Sequence, residues 1–199
     1  WENLSKELNY NMMFSQRGVM NLAHNEHDIK EMRRRISANR LNGLDTKWLD
    51  TKEIKELVPI MNTDNLRYPV LGAAYQPRGG VARHDAIAWG FAMRADEMGV
   101  DIIQNCEVKS IKTNNNKVEG VETSKGFIKA GKVAVVASGH SSVLAKTAGV
   151  RLPLQSRPLQ ALVSEPIKPV INTVVMSNAV HAYVCLLYTS PSPRDRFLS

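Results

Sequence analysis

The sequence predicts an α/β fold: part of a Rossmann-like three-layer nucleotide-binding domain, followed by the start of an antiparallel sheet in a second domain. Three observations predict it. Residues 85–98 carry Ile87, Phe91, Ala95 and Met98 at helical spacing and end at Gly99, and residues 100–108 then read as a strand. Residues 132–137 are a short apolar run, the mark of a strand buried on both faces, and lead straight into Ser138-Gly139-His140. Residues 159–164 and 172–184 alternate like strands of a separate sheet. The order helix, strand, hairpin, strand, turn, helix describes half of a three-layer domain.

Composition bounds the rest. The chain has 199 residues, 43% hydrophobic and 23% charged, which excludes a disordered polymer and permits one domain with a sizeable core. No run approaches the ~20 apolar residues that cross a bilayer, so no membrane partner is expected. Two cysteines, Cys106 and Cys185, cannot staple a secreted scaffold, and a cytoplasmic setting follows as the expectation. Lys and Arg number 26 against 19 Asp and Glu, a net charge of +7. The basic residues are scattered except at Arg33-Arg34-Arg35, with no aromatic interleaving, so nucleic acid is not expected as a partner.

The elements follow in order. Residues 10–15 and 19–23 read as two strands around a Gln16-Arg17-Gly18 turn. Residues 28–41 read as an amphipathic helix with Ile29, Met32 and Ile36 inward, the triple arginine outward and Asn42-Gly43 closing it. Asp50 with Glu53 makes a capping box for a short helix ended by Val58-Pro59. In the hairpin after residue 108, Asn114-Asn115-Asn116 and Ser124-Lys125-Gly126 supply the turns. A helix follows His140 and stops at Gly149.

The domain expectation is residues 1–150 for a partial nucleotide-binding domain with inserted cap segments and 151–184 for a partial second domain. The chain opens at Trp1 already inside a helix-like pattern, and it is expected to be an internal fragment. Residues 185–199 resemble a translated transposase-adapter sequence and are expected to be artefactual.

Candidate chemistry concentrates around Arg78-Gly79-Gly80-Val81-Ala82-Arg83-His84-Asp85. Adjacent glycines let a backbone approach a planar ligand closely or take positive φ. His84 sits at a helix start, where the positive end of the helix disfavours imidazolium and leaves a nucleophilic lone pair. Asp85 then orients one ring nitrogen; the other reading makes Asp85 a helix cap and His84 an ordinary polar residue. The turn Ser138-Gly139-His140 offers backbone N–H groups to a phosphate or ring edge, a signal every α/β fold repeats. His24 and His27 lack a third ligand at suitable spacing, so no metal is expected. His140 is a turn residue, His181 lies on an alternating strand, and Cys106 is a small buried hydrophobe. No catalytic residue is assigned.

Long strings then resemble one family. Residues Asn9-Tyr10-Asn11 and Phe14-Ser15-Gln16-Arg17-Gly18-Val19-Met20-Asn21-Leu22-Ala23-His24 are similar to the beta subunits of heterotetrameric sarcosine oxidases. So are Gly72-Ala73-Ala74-Tyr75-Gln76-Pro77-Arg78, Arg83-His84-Asp85, the string from Gly99 to Val108, Gly139-His140-Ser141-Ser142-Val143-Leu144-Ala145, and Thr173-Val174-Val175-Met176-Ser177. The similarity covers residues 1–184 and breaks at Cys185.

The resemblance implies a D-amino-acid-oxidase-like flavoprotein with noncovalent FAD and a covalent FMN, associated with alpha, gamma and delta subunits. It implies FMN attachment at His84, charge neutralisation by Arg83 and Arg78, an FAD contact at the backbone of Val108, and close passage of FAD at Gly139. It implies oxidative demethylation of sarcosine, with electrons passing from FAD to FMN to oxygen and yielding hydrogen peroxide. The glycine-rich FAD fingerprint is absent from the chain and belongs upstream, so the fragment alone is expected to be inactive. The alternatives are a dimethylglycine-type amine oxidase or dehydrogenase of the same family, and a non-enzymatic basic binding fragment that uses the face of Arg33, Arg34 and Arg35.

Overall fold

A computed structural model describes residues 1–64 and 67–186. The chain forms two compact units, Trp1–Val100 with Pro166–Ser199, and Asp101–Glu165. The adapter-like stretch lies outside the described residues except for Cys185 and Leu186.

The first unit is built on a five-stranded sheet. Its strands are β2 (Val19–Ala23), β3 (Lys47–Leu49), β4 (Gly72–Gln76), β9 (Val174–Ser177) and β10 (Ala182–Val184), in the order β10-β9-β2-β4-β3. All neighbours are antiparallel except β2 and β9, which run parallel with Val19 opposite Val174 and Leu22 opposite Ser177. A parallel pair needs a crossover, and here about 150 residues separate the two strands.

Alternation along the strands gives the sheet two apolar faces. Met20, Leu22, Leu49, Ala73 and Val175 face Ile54 of α3 (Thr51–Leu57) together with Val58 and Val70. Ala23 and Ala74, with Trp48 half-buried beside them, face Ile29, Met32 and Ile36 of α2 (Glu26–Leu41). The predicted inward stripe of α2 is therefore observed, and Arg33, Arg34 and Arg35 lie exposed. Arg33 sits 5.5 Å from the Trp48 ring centroid and Arg34 pairs with Glu31 along the helix. The helix begins two residues earlier than expected, because the Asn25 side chain accepts from the Asp28 amide at 2.9 Å and caps it.

The capping box of α3 forms as its spacing predicts. Asp50 accepts from the Glu53 amide at 2.8 Å, and Glu53 accepts from the Asp50 amide at 2.9 Å. Asp50→Ala is expected to cost about 1 kcal/mol in chemical denaturation, with Asp50→Ser recovering most of it.

In the second unit, β6 (Val108–Asn114), β7 (Lys117–Thr123) and β8 (Gly126–Lys129) form an antiparallel meander. Asn115 and Asn116 take φ of 48° and 59°, the pair of left-handed residues that a two-residue type I′ hairpin requires. Ser138–His140 forms a 3₁₀ turn into α5 (Ser141–Thr147), and Gly149 at φ 75° follows it.

Several predicted strands do not form. Of residues 10–15 only Ser15 enters β1 (Ser15–Gln16), because the Met12 amide donates to the Ser5 hydroxyl at 3.1 Å and Met13 turns at φ 51°. The expected hairpin around Gly18 is also absent. Arg17 and Gly18 donate instead to the Gly79 carbonyl, and β1 pairs with β5 (Gly80–Val81).

Residues 101–107, 132–137 and 159–164 have no ladder partner among the described residues and are not strands. A period-two pattern supplies a face, and only a neighbouring strand supplies hydrogen bonds. Val136 is 92% exposed, so the run is not buried on both faces. Residues 172–184 divide into β9 and β10, and His181 lies at φ 53° in the turn between them rather than on a strand.

The two compact units group the chain by strand pairing. β9 and β10 return to β2, which places residues 166–184 with the first hundred residues and 151–165 with the meander.

Candidate functional site

The segment from Gln76 to Ala86 is held from below by β1. Gln16 stands opposite Gly80 and Ser15 opposite Val81. A Cβ added at Gly80 would meet the Ser15 carbonyl oxygen at 2.0 Å, and one at Gly79 would meet the Val19 side chain at 2.8 Å. The close approach that Gly80 permits is taken up by the backbone of Ser15, and Gly79 lies against the Val19 side chain.

Arg78 is committed as well. Its Nε donates to Glu2 Oε1 at 2.6 Å, and Gln16 Nε2 donates to the Arg78 carbonyl at 3.1 Å. The guanidinium, with the Gln16 amide second, holds the Glu2 carboxyl down to about 2. The folded value lies below the unfolded one, so this ion pair is fully present above the usual carboxylate range and is lost as pH falls toward about 2. Glu2→Gln is expected to show a smaller loss of denaturation midpoint between about pH 7 and about pH 3 than the parent does.

Arg83 is the N-cap residue of α4 (His84–Glu97), with extended backbone at φ −77° and ψ 119°. Its Nε donates to Asp85 Oδ1 at 3.1 Å, and its Nη2 pairs with Oδ2. Asp85 Oδ1 also accepts from the Ala86 amide at 2.8 Å. Arg83 first and that amide second hold the Asp85 carboxyl below the usual carboxylate range. Asp85 thus bonds Arg83 and the amide of its own first turn, with no hydrogen bond to the His84 ring. His84 is exposed, and its imidazole makes no hydrogen bond to another described residue.

The inward side of α4 differs from the predicted stripe. Ala86 and Gly90, one turn apart, are its buried residues, and Gly90 lies against Met12 and Tyr10. Phe91 and Met98 are exposed. Gly90 carries no apolar side chain, so a hydrophobic periodicity could not report the contact face.

The other two flavin-contact candidates belong to the second unit. Val108 opens β6 opposite Thr123, directly after Glu107, whose amide and carbonyl are both bonded to Ser124. Gly139 lies exposed in the 3₁₀ turn after Ser138, which takes φ 47°. The Gly139 carbonyl accepts from the Ser156 hydroxyl at 2.6 Å. Ile111 of β6 donates to Thr147 of α5 at 2.9 Å, which ties the strand that opens at Val108 to the helix that follows the Gly139 turn.

Sequence reasoning missed a network around His24. Its Nδ1 lies 3.1 Å from the Pro69 carbonyl and its Nε2 lies 2.7 Å from the Ser177 hydroxyl. A carbonyl only accepts, so Nδ1 carries the proton of that bond, and Nε2 shares a hydrogen bond with the Ser177 hydroxyl. Tyr68 packs edge-on at 6.2 Å between ring centroids. Ser177 is 153 residues away, and no local pattern points to it. Both His24 nitrogens are thereby occupied by protein, and among the described residues no three His, Cys, Asp or Glu side chains gather as a metal group. Cys106 is half-buried.

The model of the FAD dependent oxidoreductase family (DAO) matches residues 1–198, and the chain belongs to that family. The chain is 58% identical to a sarcosine oxidase subunit beta from Arthrobacter sp over 92% of its own length and 46% of the relative's. A subunit of the same name from Rhizobium meliloti is 50% identical over 92% of the chain and 44% of the relative. Among solved structures, L-proline dehydrogenase from P. horikoshii superposes with a TM-score of 0.76 at 29% identity, covering 92% of this chain and 48% of that one. The chain thus spans less than half the length of these relatives. No helix among the described residues is long and apolar enough to cross a membrane.

Proposed function

We propose that this chain is part of the beta subunit of a cytoplasmic, heterotetrameric sarcosine oxidase, joined in the full-length protein to alpha, gamma and delta subunits. The reaction is oxidative demethylation of sarcosine: the N-methyl group is oxidised to an imine, water splits it to glycine and a one-carbon unit at the formaldehyde level, and electrons pass from FAD to FMN to dioxygen with hydrogen peroxide formed. Identity of 58% across 92% of the chain is the observation that carries this reading.

The side chains present fit a covalently held FMN at one place. His84 offers an exposed imidazole with no competing partner among the described residues, anchored at the first turn of a fourteen-residue helix. Attachment joins an imidazole nitrogen to the flavin 8-methyl carbon, and that nitrogen must carry a lone pair. For FAD, the backbone of Val108 and the exposed turn at Gly139 are the contacts this chain supplies. Bound flavin supplies the two-electron acceptor; the chain's own task is to hold and orient. The five-stranded sheet is the chain's share of the substrate domain, and the meander with its following turn is its share of the FAD domain.

Purifying the full-length complex, denaturing it and mapping peptides by mass tests the reading. A flavin mass on the peptide containing His84, absent in His84→Ala, is the expected result. Release of all flavin on denaturation of the parent complex overturns FMN attachment, and failure of the complex to oxidise sarcosine overturns the substrate.

A further inference from the structure

His84 has a carboxylate as its immediate neighbour, yet no hydrogen bond joins that carboxylate to the ring. An aspartate beside a histidine at a helix start is well placed to bond the ring N–H and to stabilise the imidazolium form. Imidazolium has no free lone pair and cannot act as a nucleophile. Here both carboxylate oxygens are already occupied. Oδ1 accepts from Arg83 Nε at 3.1 Å and from the Ala86 amide at 2.8 Å, and Oδ2 takes Arg83 Nη2. Both oxygens thus hold the planar guanidinium fork, which favours this paired geometry over single contacts. The pair spans His84 from the residue before it to the residue after it.

From this geometry we infer that Arg83 is a positioning residue that sequesters the Asp85 carboxylate, so that the His84 imidazole stays unpaired for bond formation with a flavin. The inference rests on the reading of His84 as the attachment site, and it replaces direct neutralisation of flavin charge as the task of Arg83. In the attachment, the imidazole N–H and one 8-methyl C–H bond break and a C–N bond forms. The electron pair and two protons released pass to the isoalloxazine and then to dioxygen, which leaves as hydrogen peroxide. Atoms and electrons then balance without a further reactant.

Without Arg83, the Asp85 carboxylate is free to turn to the imidazole and accept from its ring N–H. The test uses the full-length protein with its partner subunits, prepared without flavin, and follows the flavin mass on the His84 peptide over time after adding FMN. Arg83→Gln is expected to slow attachment several-fold, most strongly near about pH 6, because the freed carboxylate captures the ring and lowers the share of imidazole with a free lone pair. The double variant R83Q/D85N is expected to recover attachment to within about twofold of the parent, because no carboxylate remains to capture the ring. Circular dichroism and the thermal midpoint confirm that each variant is folded before its rate is compared.

A double variant as slow as R83Q overturns the inference and assigns the Arg83 charge to the flavin itself. An R83Q variant that attaches flavin at the parental rate overturns it too. A parent protein that gains no flavin mass at His84 overturns the attachment reading on which the inference stands, a result distinct from the other two.

Discussion

Gly80→Ala is expected to destabilise the first unit by about 3 kcal/mol and to unseat the segment leading to His84. The added methyl would stand 2.0 Å from the Ser15 carbonyl oxygen and 2.9 Å from the Gln16 Cα. Both obstacles are backbone atoms, so no side-chain rotation relieves the contact and the β1–β5 pairing must open. Arg17 and Gly18, which donate to the Gly79 carbonyl, lose their acceptor as that pairing shifts. A lowered denaturation midpoint with an unchanged m-value checks the stability effect. A midpoint within a few tenths of a molar of the parent would show that the loop adapts without cost.

His24→Ala is expected to cost about 2–3 kcal/mol, from two hydrogen bonds of about 1 kcal/mol each and the edge-on contact with Tyr68. The ring ties the end of β2 to the 67–70 segment and to the end of β9, so its loss loosens a junction of three chain segments. Ser177→Ala isolates the Nε2 bond. A double-variant cycle is expected to return a coupling of about 1 kcal/mol between the two positions, and strict additivity would show that the 2.7 Å contact contributes nothing.

Elements governed by neighbours in sequence were legible. The capping box at Asp50 and Glu53, the inward stripe of α2, the Asn-rich hairpin and the helix from His84 to Glu97 all follow from contacts within a few residues. Strand runs fared worse. Residues 132–137 carry the composition of a buried strand, yet they have no paired neighbour and leave Val136 exposed. The site divides the same way. His84 at a helix start was visible as spacing, and the family resemblance supplied its flavin. The Arg83–Asp85 clamp, the commitment of Arg78 to Glu2 and the filling of the Gly80 space by Ser15 were not visible. Each depends on where a side chain or a distant strand is placed in space.

Sequence by itself determined the α/β class, the capped helices, the hairpin turns and membership of a flavin-dependent family, since these arise from local hydrogen bonding, periodicity and extended strings of residues. Only the tertiary structure decided that β9 lies parallel to β2, that His24 is closed by Pro69 and Ser177, and that the carboxylate beside His84 is held by Arg83. Pairing between strands and between charges is a choice among many partners that the local chain does not distinguish, and it is settled where burial and geometry leave one combination satisfied.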